Sequence, residues 1–507
     1  MPIADLKIDL GSDVPVYRQI VDGVRAAAFE GELQPGHQLP PTRDLARDLG
    51  VNRNTVVAAY EALADEGWVR SHTGRGTFLV RRPGASADSA VADSDAWFTA
   101  FSRTADGAAA GGLQSILSLF VEPTGGVSFV GSYPAGELIP VDAFSEAMAR
   151  VLAERGAEAL GYGPTAGDPG LRETIAAGMR GQRMPAAADD ILVTNGAQQG
   201  LEIVFRTFLD RGDAVVIEEP TYTGALSVLG ALGARVVGVP LDSQGIRADL
   251  LQMALERHRP RLVYLQPTFH NPTTRVMGET RRREVLELAH RFRCPIVEDD
   301  WAGDLRLDGE DLPTLHALDS GRHVVYLSTF SKKLMPGLRL GWVSAPPPVM
   351  QRLIEMKRVQ DCGTSPLMQA ALADFLGRGG LDDHLQRIRP AYRRRRDAML
   401  SALERHFPEE ARWESPLGGM FVWIRLPEGF DGADLFVAAR QEGVLYSRGE
   451  LFHSDGSGGD TMRLTYSSAS HEQIELGVAT LGRLIGERRP AGHRPVRHRP
   501  AETMPIF

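Results

Sequence analysis

The chain has 507 residues, 43% hydrophobic and 24% charged, and this ordinary globular composition excludes wholesale disorder, a collagen-like structure and a disulfide scaffold. Its formal net charge of −9 argues against a protein that coats nucleic acid uniformly, although one local DNA-binding site is compatible with it. With two cysteines, no apolar leader and no apolar run of membrane-spanning length, the chain is expected to be cytoplasmic and to have no membrane partner.

Changes in composition divide the chain into four segments. Residues 1–80 are dense in helical signals, and residues 81–112 are small, polar and glycine-rich with little periodicity, as in a flexible linker. In residues 113–487, apolar strand-like runs alternate with helical stretches, which predicts an α/β domain with a mainly parallel sheet. Residues 488–507 are rich in Arg, His and Pro, and we expect them to form a disordered tail.

Two short helices and a hairpin are predicted within residues 1–80. Asn52 is a good N-cap for a helix with an apolar face that ends at Gly67, and Gly50 suits a tight corner with the short helix before it. The following stretch, WVRSHTGRGTFLV, has the pattern of a hairpin with a glycine-rich tip. Two helices and a hairpin together indicate a winged helix-turn-helix.

The start of the second helix carries the candidate DNA-binding groups. Polar and cationic side chains in the first turn of a helix can reach base edges, while backbone amides and a nearby arginine can contact phosphates. Any pair of helices that carries an arginine shows the same pattern, and this segment has no excess of positive charge. The pattern alone therefore leaves open a helix pair without a DNA-binding role.

The stretch from Pro15 to Val80 resembles, along nearly its whole length, the DNA-binding domain of the GntR family of bacterial regulators. The resemblance implies contacts with double-stranded promoter DNA from the arginine before the second helix, from the first residues of the recognition helix and from the wing tip. Pro41 stands where the family commonly has a serine cap, which leaves the start of that helix less sharply defined. The implied contact residues are Arg43, Asn52, Arg53, Asn54, Thr55, His72 and Arg75.

In the larger segment, polar residues follow the ends of several apolar strands. ILVTNGAQQGLEIVFRTFL predicts a strand, a turn at Gly196 and a helix whose first amides can bind an anion, although a plain strand-to-helix connection has the same pattern. Strand ends are where the sites of α/β proteins assemble. Taken singly, each of these polar groups is more often an ordinary solvated loop residue. The groups after the later strands are Tyr222, Asn271, Asp299 and Lys332.

Together these groups suit pyridoxal 5'-phosphate, which needs a lysine amine for a Schiff base, a carboxylate opposite its ring nitrogen and donors for its phosphate. Their order and spacing, from about residue 113 to 487, resemble fold-type I aminotransferases, and TFSKKLMPGLRLGW closely resembles the cofactor-lysine signature of that family. The resemblance implies that Lys332 forms the Schiff base and that Asp299 bonds the ring nitrogen. It also implies that Asn271 bonds the phenolic oxygen and that Tyr222 stacks on the ring.

The same resemblance implies the remaining contacts. Arg463 would bind a substrate carboxylate as a bidentate fork. Trp301 stands where relatives usually have a tyrosine that bonds the phenolic oxygen, and because an indole can donate but cannot titrate, we expect an altered Schiff-base pKa and weaker catalysis. Tyr162 would reach the phosphate from the neighbouring subunit, which implies a domain-swapped homodimer. The other implied cofactor-binding residues are Ala197, Gln198, Thr329 and Arg339.

The remaining histidines and arginines predict no further site. No spacing of His and Cys fits a metal, so no metal site is expected. The run from Arg393 to Arg396 is interpreted as the solvated face of a helix.

A GntR-type winged helix joined by a linker to an aminotransferase-like domain resembles the MocR subfamily of transcriptional regulators. The resemblance implies a regulator that binds pyridoxal phosphate and that takes a small amino compound as its effector. Two alternatives stay open. One is a working aminotransferase with an accessory DNA-binding domain, and the other is a sensor of the cofactor alone, in which Arg463 would have no role.

Overall fold

The chain divides into two compact units, residues 1–103 and residues 104–507. The computed structural model describes residues 8, 14–29, 33, 36–65, 68–72, 76–80, 126–320, 322–427, 429–430 and 432–488. The predicted linker, residues 81–112, and all but the first residue of the predicted tail, 488–507, lie outside the described residues.

The described residues of the smaller unit form three helices and a three-stranded antiparallel sheet. Its elements are α1 (Val16–Phe29), β1 (Gln38–Leu39), α2 (Thr42–Asp48), α3 (Arg53–Asp65), β2 (Val69–His72) and β3 (Gly76–Leu79), and the strand order is β1-β3-β2. Apolar residues of all three helices share one core, which includes the fully buried Val24, Leu45 and Val56. The prediction of a winged helix-turn-helix is confirmed.

Local signals account for the two helices of the motif. The Asn52 side-chain oxygen accepts a hydrogen bond from the backbone N–H of Asn54 at 2.9 Å, so Asn52 caps α3 as predicted. Gly50, between α2 and α3, has a φ of +65°, which favours glycine at the corner. Pro41 provides no side-chain cap for α2, in line with the missing serine.

The larger unit is built on an eight-stranded sheet with the order β5-β12-β11-β10-β9-β6-β7-β8. Strand β12 runs antiparallel to both β5 and β11, and β8 runs antiparallel to β7, whereas the other neighbouring pairs are parallel. A mainly parallel sheet was predicted and is confirmed. The strands are β5 (Ile191–Thr194), β6 (Ala214–Glu219), β7 (Arg235–Asp242), β8 (Gly245–Ile246), β9 (Leu262–Leu265), β10 (Ile296–Asp300), β11 (Val324–Thr329) and β12 (Gly341–Ser344).

Helices cover both faces of this sheet, because successive residues of one strand pack into different cores. On β12, for example, Trp342 packs with the helices of one face and Val343 with those of the other. The helices on the first face are α4 (Val141–Arg155), α5 (Pro169–Gly181), α8 (Ala248–His258), α9 (Glu279–Phe292), α10 (Leu315–Asp319) and α12 (Pro366–Gly377). Those on the second are α6 (Gly196–Phe208), α7 (Thr223–Leu232) and α11 (Pro347–Gln360).

A smaller antiparallel sheet, with the order β13-β14-β17-β16, packs with three helices around a separate core. A two-stranded parallel pair, β4 with β15, adjoins that core. The elements are β4 (Val127–Ser128), α13 (Gly380–His406), β13 (Arg412–Trp413), β14 (Phe421–Arg425), α14 (Gly432–Gln441), β15 (Val444–Leu445), β16 (Ser447–Arg448), β17 (Thr461–Thr465) and α15 (His471–Glu487). Within the described ranges, none of the helices is long and apolar enough to cross a membrane.

The interpretation of residues 393–396 as a solvated helix face is wrong for two of its members. Arg395 and Arg396 lie in α13 and are 8% and 7% exposed. Arg395 forms an ion pair with Glu137, and Arg396 forms one with Asp308. Carboxylates that are distant in sequence therefore neutralise two charges of the run and allow them to be buried.

Candidate functional site

The candidate site of the larger unit lies where strands β9, β10 and β11 end. At or beyond the end of each of these parallel strands lies a polar residue that the strand-end pattern selected. Hydrogen bonds join several of these residues to more distant parts of the chain. The site consists of an amine, a carboxylate, an anion cradle and a buried arginine.

Lys332 follows β11, and its amine has no carboxylate partner among the described residues. Its Nζ donates to the carbonyl oxygen of Ser132 at 2.7 Å. Burial, with the nearby charges of Arg463 and Arg339, lowers the pKa of Lys332 to about 8. Because only a neutral amine is a nucleophile, this environment prepares Lys332 to attack a carbonyl carbon.

The chain contains four lysines, and Lys332 differs from the other two that the structure describes. Lys333 forms an ion pair with Asp304, and Lys357 lies 2.8 Å from the carboxylate of Asp361. Among the described lysines, Lys332 is therefore the one whose amine is not committed to a carboxylate.

Asp299, in β10, offers one carboxylate oxygen to a ligand. Its Oδ2 accepts hydrogen bonds from the Tyr264 hydroxyl at 2.7 Å and from the Gln266 amide at 3.3 Å. Its Oδ1 is buried and has no partner among the described residues, which is costly unless a donor is supplied. Burial raises the pKa of Asp299 to about 7, and a protonated ring nitrogen at Oδ1 would favour the ionised form. The arrangement fits the pyridinium nitrogen of the predicted cofactor.

The start of α6 and Arg339 form a cradle for an anion. Gly196 has a φ of +77°, and a Cβ at this position would lie 2.9 Å from a guanidinium nitrogen of Arg339. A Cβ on Gly341 would lie 2.9 Å from the backbone nitrogen of Ala197. The two glycines thus let an arginine and the first amides of a helix converge, which is the donor set that a phosphate requires.

Three further predicted cofactor contacts surround this cradle. Gln198 donates to the Gly224 carbonyl at 2.9 Å and accepts from the Tyr222 hydroxyl at 3.3 Å, so it orients Tyr222. The Thr329 hydroxyl donates to the Leu340 carbonyl at 3.1 Å and therefore supports the loop between β11 and β12 in this geometry. Contact of these side chains with the cofactor stays a prediction.

Arg463, in β17, is a buried cation that lacks a carboxylate partner among the described side chains. One of its terminal nitrogens donates to the Asn271 side-chain oxygen at 2.8 Å, and the other donates to the Val130 carbonyl at 3.0 Å. Its Nε has no partner within the part of the chain that the structure describes. Burial lowers the pKa of Arg463 to about 10, which still leaves it protonated at neutral pH. A buried arginine in this state suits a ligand carboxylate.

Two aromatic rings lie close to this arginine. The rings of Phe421 and Phe452 lie 4.7 and 4.9 Å from the guanidinium carbon of Arg463. Trp301 stacks against Phe421, with ring centroids 5.4 Å apart and planes 11° apart. The Trp301 indole N–H donates to the Phe269 carbonyl at 3.1 Å, so this donor is used by the backbone and does not replace the tyrosine hydroxyl of relatives.

Sequence reasoning missed Ser132, Tyr264 and Gln266, which orient the amine and the carboxylate. Tyr264 lies on β9, beside the strand of Asp299, and a polar group within an apolar strand is the signal that could have identified it. Tyr162, which was predicted to act from a neighbouring subunit, is 93% exposed in the protomer. The structure therefore does not bring Tyr162 into the cluster described above.

The predicted DNA-contact residues belong to the smaller unit. Arg43 is exposed in the first turn of α2, ahead of the recognition helix α3. The first turn of α3 and its cap present three exposed side chains, and Thr55 behind them is half-buried. The side chain of His72 and the whole of Arg75 lie outside the described residues. The three exposed residues are Asn52, Arg53 and Asn54.

Comparison with protein families matches both units. The model of aminotransferase class I and II matches residues 130–481, and the model of bacterial regulatory proteins of the gntR family matches residues 16–79. The first match covers most of the chain, and the second lies within the smaller unit.

Individual relatives fall into two groups. The chain is 31% identical to the probable rhizopine catabolism regulatory protein MocR of Rhizobium meliloti, over 94% of this chain and 95% of that protein. It is 39% identical to aromatic-amino-acid aminotransferase 1 of Thermococcus litoralis, over 76% of this chain and 94% of that protein. Among solved structures, it is similar to LysN, an α-aminoadipate aminotransferase from Thermus thermophilus in complex with N-(5'-phosphopyridoxyl)-L-leucine. That likeness has 37% identity and a TM-score of 0.72, over 77% of this chain and 98% of that chain.

Proposed function

We propose that this chain, which belongs to the MocR subfamily of regulators, is a promoter-binding regulator controlled by a small amino compound. In this subfamily a gntR-type DNA-binding domain is joined to an aminotransferase class I and II domain. Pyridoxal 5'-phosphate is the cofactor of the aminotransferase fold to which the larger unit belongs. Binding to promoter DNA would place the protein in the bacterial cytoplasm.

One observation carries this proposal: the chain joins a helix start that exposes Arg53 and Asn54 to a unit that keeps an uncommitted lysine amine. An enzyme has no use for the first feature, and a simple DNA-binding protein has no use for the second. A regulator that senses amino compounds uses both.

The residues of the larger unit fit the cofactor in three ways. Arg339 and the first amides of α6 would hold its phosphate, and the free Oδ1 of Asp299 would hold a proton on its ring nitrogen. Lys332 would supply the amine that attaches it. When bound, pyridoxal phosphate supplies an electrophilic carbonyl carbon and an electron-withdrawing ring. Predicted contacts of Asn271 and Tyr222 would complete the site, whereas the Trp301 indole N–H is bound to the Phe269 carbonyl.

Arg463 defines the class of effector. A buried guanidinium that is held by Asn271 and by two aromatic rings can bind a carboxylate with little loss of side-chain freedom. Lys332 and Arg463 together would therefore select compounds that carry both an amine and a carboxylate, such as α-amino acids.

Regulation also requires coupling between the two kinds of site. We place two copies in a domain-swapped homodimer, with the exposed Tyr162 of each copy serving the other's site, so that two DNA-binding units act together. The effector shifts DNA binding only if it has a different affinity for two arrangements of those units.

The direct test is DNase footprinting of the full chain on the DNA upstream of its own gene. We expect protection of a defined sequence that changes when pyridoxal phosphate and an α-amino acid are added. Absence of sequence-specific protection under all of these conditions would contradict the regulator proposal, whatever the cofactor content of the protein.

A working aminotransferase is the second candidate, and the intact set of Lys332, Asp299 and Arg463 favours it. Transfer of an amino group to a keto acid, measured with the loaded protein, would distinguish it. Steady turnover without any DNA binding would support the enzyme over the regulator.

Replacing Arg53 with alanine is expected to weaken specific DNA binding by about 1–3 kcal/mol, because Arg53 is exposed at the start of the recognition helix and can reach a base. The measurement is a titration of labelled promoter DNA at fixed salt. Arg47→Ala is the matched control, because Arg47 is exposed in the same unit but lies in the last turn of α2 beside Asp44. An Arg53→Ala protein that binds as tightly as the control removes Arg53 from the contacts.

Replacing Trp301 with leucine is expected to weaken the binding of an α-amino acid by about 2- to 12-fold, since an aromatic pair contributes about 0.5–1.5 kcal/mol. The substitution removes the ring that supports Phe421 and, through it, Arg463. Binding is followed by the spectral change of the cofactor-loaded protein. Trp301→Phe keeps a ring at this position and is the control.

The decarboxylated amine with the same side chain separates this effect from general damage. Its affinity does not depend on Arg463 and should stay unchanged in Trp301→Leu. Equal losses for the amine and the amino acid would mean that Trp301 does not position the carboxylate-binding arginine.

A further inference from the structure

Two histidines and an aspartate converge at the other end of the large sheet, far from the cofactor residues. His290 lies in the last turn of α9, Asp319 ends α10, and His323 directly precedes β11. We propose that these three side chains form a binding site for a divalent transition metal of the zinc class.

The ligand atoms already lie near one another. The His290 Nε2 is 2.6 Å from the Asp319 Oδ1, and the His323 Nδ1 is 3.8 Å from the same oxygen. All three potential ligand atoms fall within 4.8 Å of one another. Zinc binds imidazole nitrogen and carboxylate oxygen at about 2.0–2.2 Å, so ligands around one ion are about 3.3 Å apart. Metal binding would lengthen the 2.6 Å separation, with loss of that hydrogen bond, and would shorten the 3.8 Å separation.

The aspartate is held in place by the backbone. Its Oδ2 accepts hydrogen bonds from the N–H groups of His323, at 2.5 Å, and Val324, at 3.3 Å. The side chain of Asp319 is fully buried, which leaves the carboxylate one orientation, with Oδ1 toward the two rings. Hydrogen bonds that orient a metal-binding carboxylate in this way are a regular feature of metal sites.

The histidines provide access from solvent. Their side chains are 45% and 43% exposed, and their ring centroids are 4.5 Å apart. The His290 ring donates a hydrogen bond to Asp319, whereas the His323 Nδ1, at 3.8 Å from the same oxygen, is too far away for one. A metal ion between the three groups would bind both ring nitrogens and the carboxylate, and it would keep one or more coordination positions for water.

The ligand types select the metal. Two imidazole nitrogens and one carboxylate oxygen suit Zn²⁺, Co²⁺ or Ni²⁺, whereas Ca²⁺ and Mg²⁺ prefer oxygen ligands alone. A bound ion would tie α9, α10 and the start of β11 together. Since β11 has six residues, the site would lie about 20 Å from Lys332 at the other end of the strand. The proposal therefore does not depend on the proposed regulatory function.

The test is a titration of the full chain with Co²⁺, followed by visible absorbance, on wild type and on a variant with His290→Gln and His323→Gln. Glutamine keeps a hydrogen-bond donor at each position but is a poor metal ligand. We expect the wild type to bind about one Co²⁺ per chain more than the variant, and Zn²⁺ to displace it. His471→Gln, which changes an exposed histidine at the start of α15, should bind as much as the wild type.

Thermal unfolding gives an independent measurement. Zn²⁺ should raise the melting temperature of the wild type and of His471→Gln, and should raise it less in the double variant. The single variant His323→Gln, which leaves the His290 to Asp319 hydrogen bond intact, covers the case in which the double variant fails to fold. Equal Co²⁺ stoichiometry in wild type and in the folded variants would overturn the proposal.

Discussion

Replacing Lys332 with alanine is expected to abolish covalent attachment of pyridoxal phosphate and the visible absorbance that accompanies it. The reason is that Lys332 is the described lysine whose amine has no carboxylate partner. The fall of its pKa from 10.5 to about 8 increases the neutral, reactive fraction at neutral pH by about 300-fold. The protein should stay folded, because within the described part of the chain the side chain makes a single hydrogen bond, to the Ser132 carbonyl.

The measurement is the absorbance spectrum of protein that has been incubated with the cofactor and then desalted. Borohydride reduction followed by peptide mapping identifies the modified lysine among the four in the chain. Lys357→Arg is the control, because Lys357 pairs with Asp361 and should not carry the cofactor. Attached cofactor on Lys332→Ala would reject Lys332 as the anchor.

Replacing Arg463 with alanine is expected to remove the response to α-amino acids. Truncating one partner of a buried, hydrogen-bonded charge pair costs about 2–5 kcal/mol, which corresponds to about a 30- to 5000-fold loss of affinity. Asn271 would also lose the donor that holds its side-chain oxygen. Arg463→Lys keeps the charge but loses the bidentate fork, and it should fall between wild type and alanine.

The measurement is promoter binding as a function of amino acid concentration, with the cofactor present. A decarboxylated amine serves as the comparison ligand, because its binding does not need the arginine. If Arg463→Ala responds to amino acids as the wild type does, Arg463 does not bind the effector carboxylate and its assigned role is wrong. If neither protein responds to amino acids, the protein senses the cofactor alone. Attachment of the cofactor to Lys332 would still be measurable, so the two results can be separated.

Several parts of the site could be predicted because they depend on short-range rules. Asp299 and Lys332 lie at or just beyond the ends of buried strands, and parallel strands that end at one edge bring such residues together. The cap at Asn52 and the corner at Gly50 likewise depend on a few adjacent residues. These features need no knowledge of distant contacts.

Other parts depend on residues that are far apart in the chain. Ser132 lies two hundred residues before Lys332, and no local pattern announces their hydrogen bond. The burial of Arg396 depends on its ion pair with Asp308, which is distant in sequence. The run of arginines alone therefore predicts a solvated helix face. Similarly, no short spacing joins His290 to His323, which is why no metal site was expected.

Trp301 occupies a position where relatives usually have a tyrosine, and it has a different role there within the same fold. The sequence resemblance to aminotransferases assigned it to the cofactor, since a tyrosine is usual there. In the structure its N–H binds the Phe269 carbonyl and its ring supports Phe421, which contacts Arg463. Compared with a tyrosine, Trp301 thus lacks the hydroxyl but supports, through Phe421, the arginine that we propose to bind the effector.

The antiparallel strand β12 has a consequence for stability. It lies between β5 and β11, and β5 is the edge strand of the sheet. The loop before β12 carries both Lys332 and Arg339, while β5 leads into the amides of α6. A cofactor that contacts Lys332, Arg339 and the first amides of α6 would link β5, β12 and β11. Without the cofactor, β5 would be held by its pairing with β12 alone. Loss of the cofactor would then increase local opening of the sheet at β5, and binding of the cofactor would suppress it.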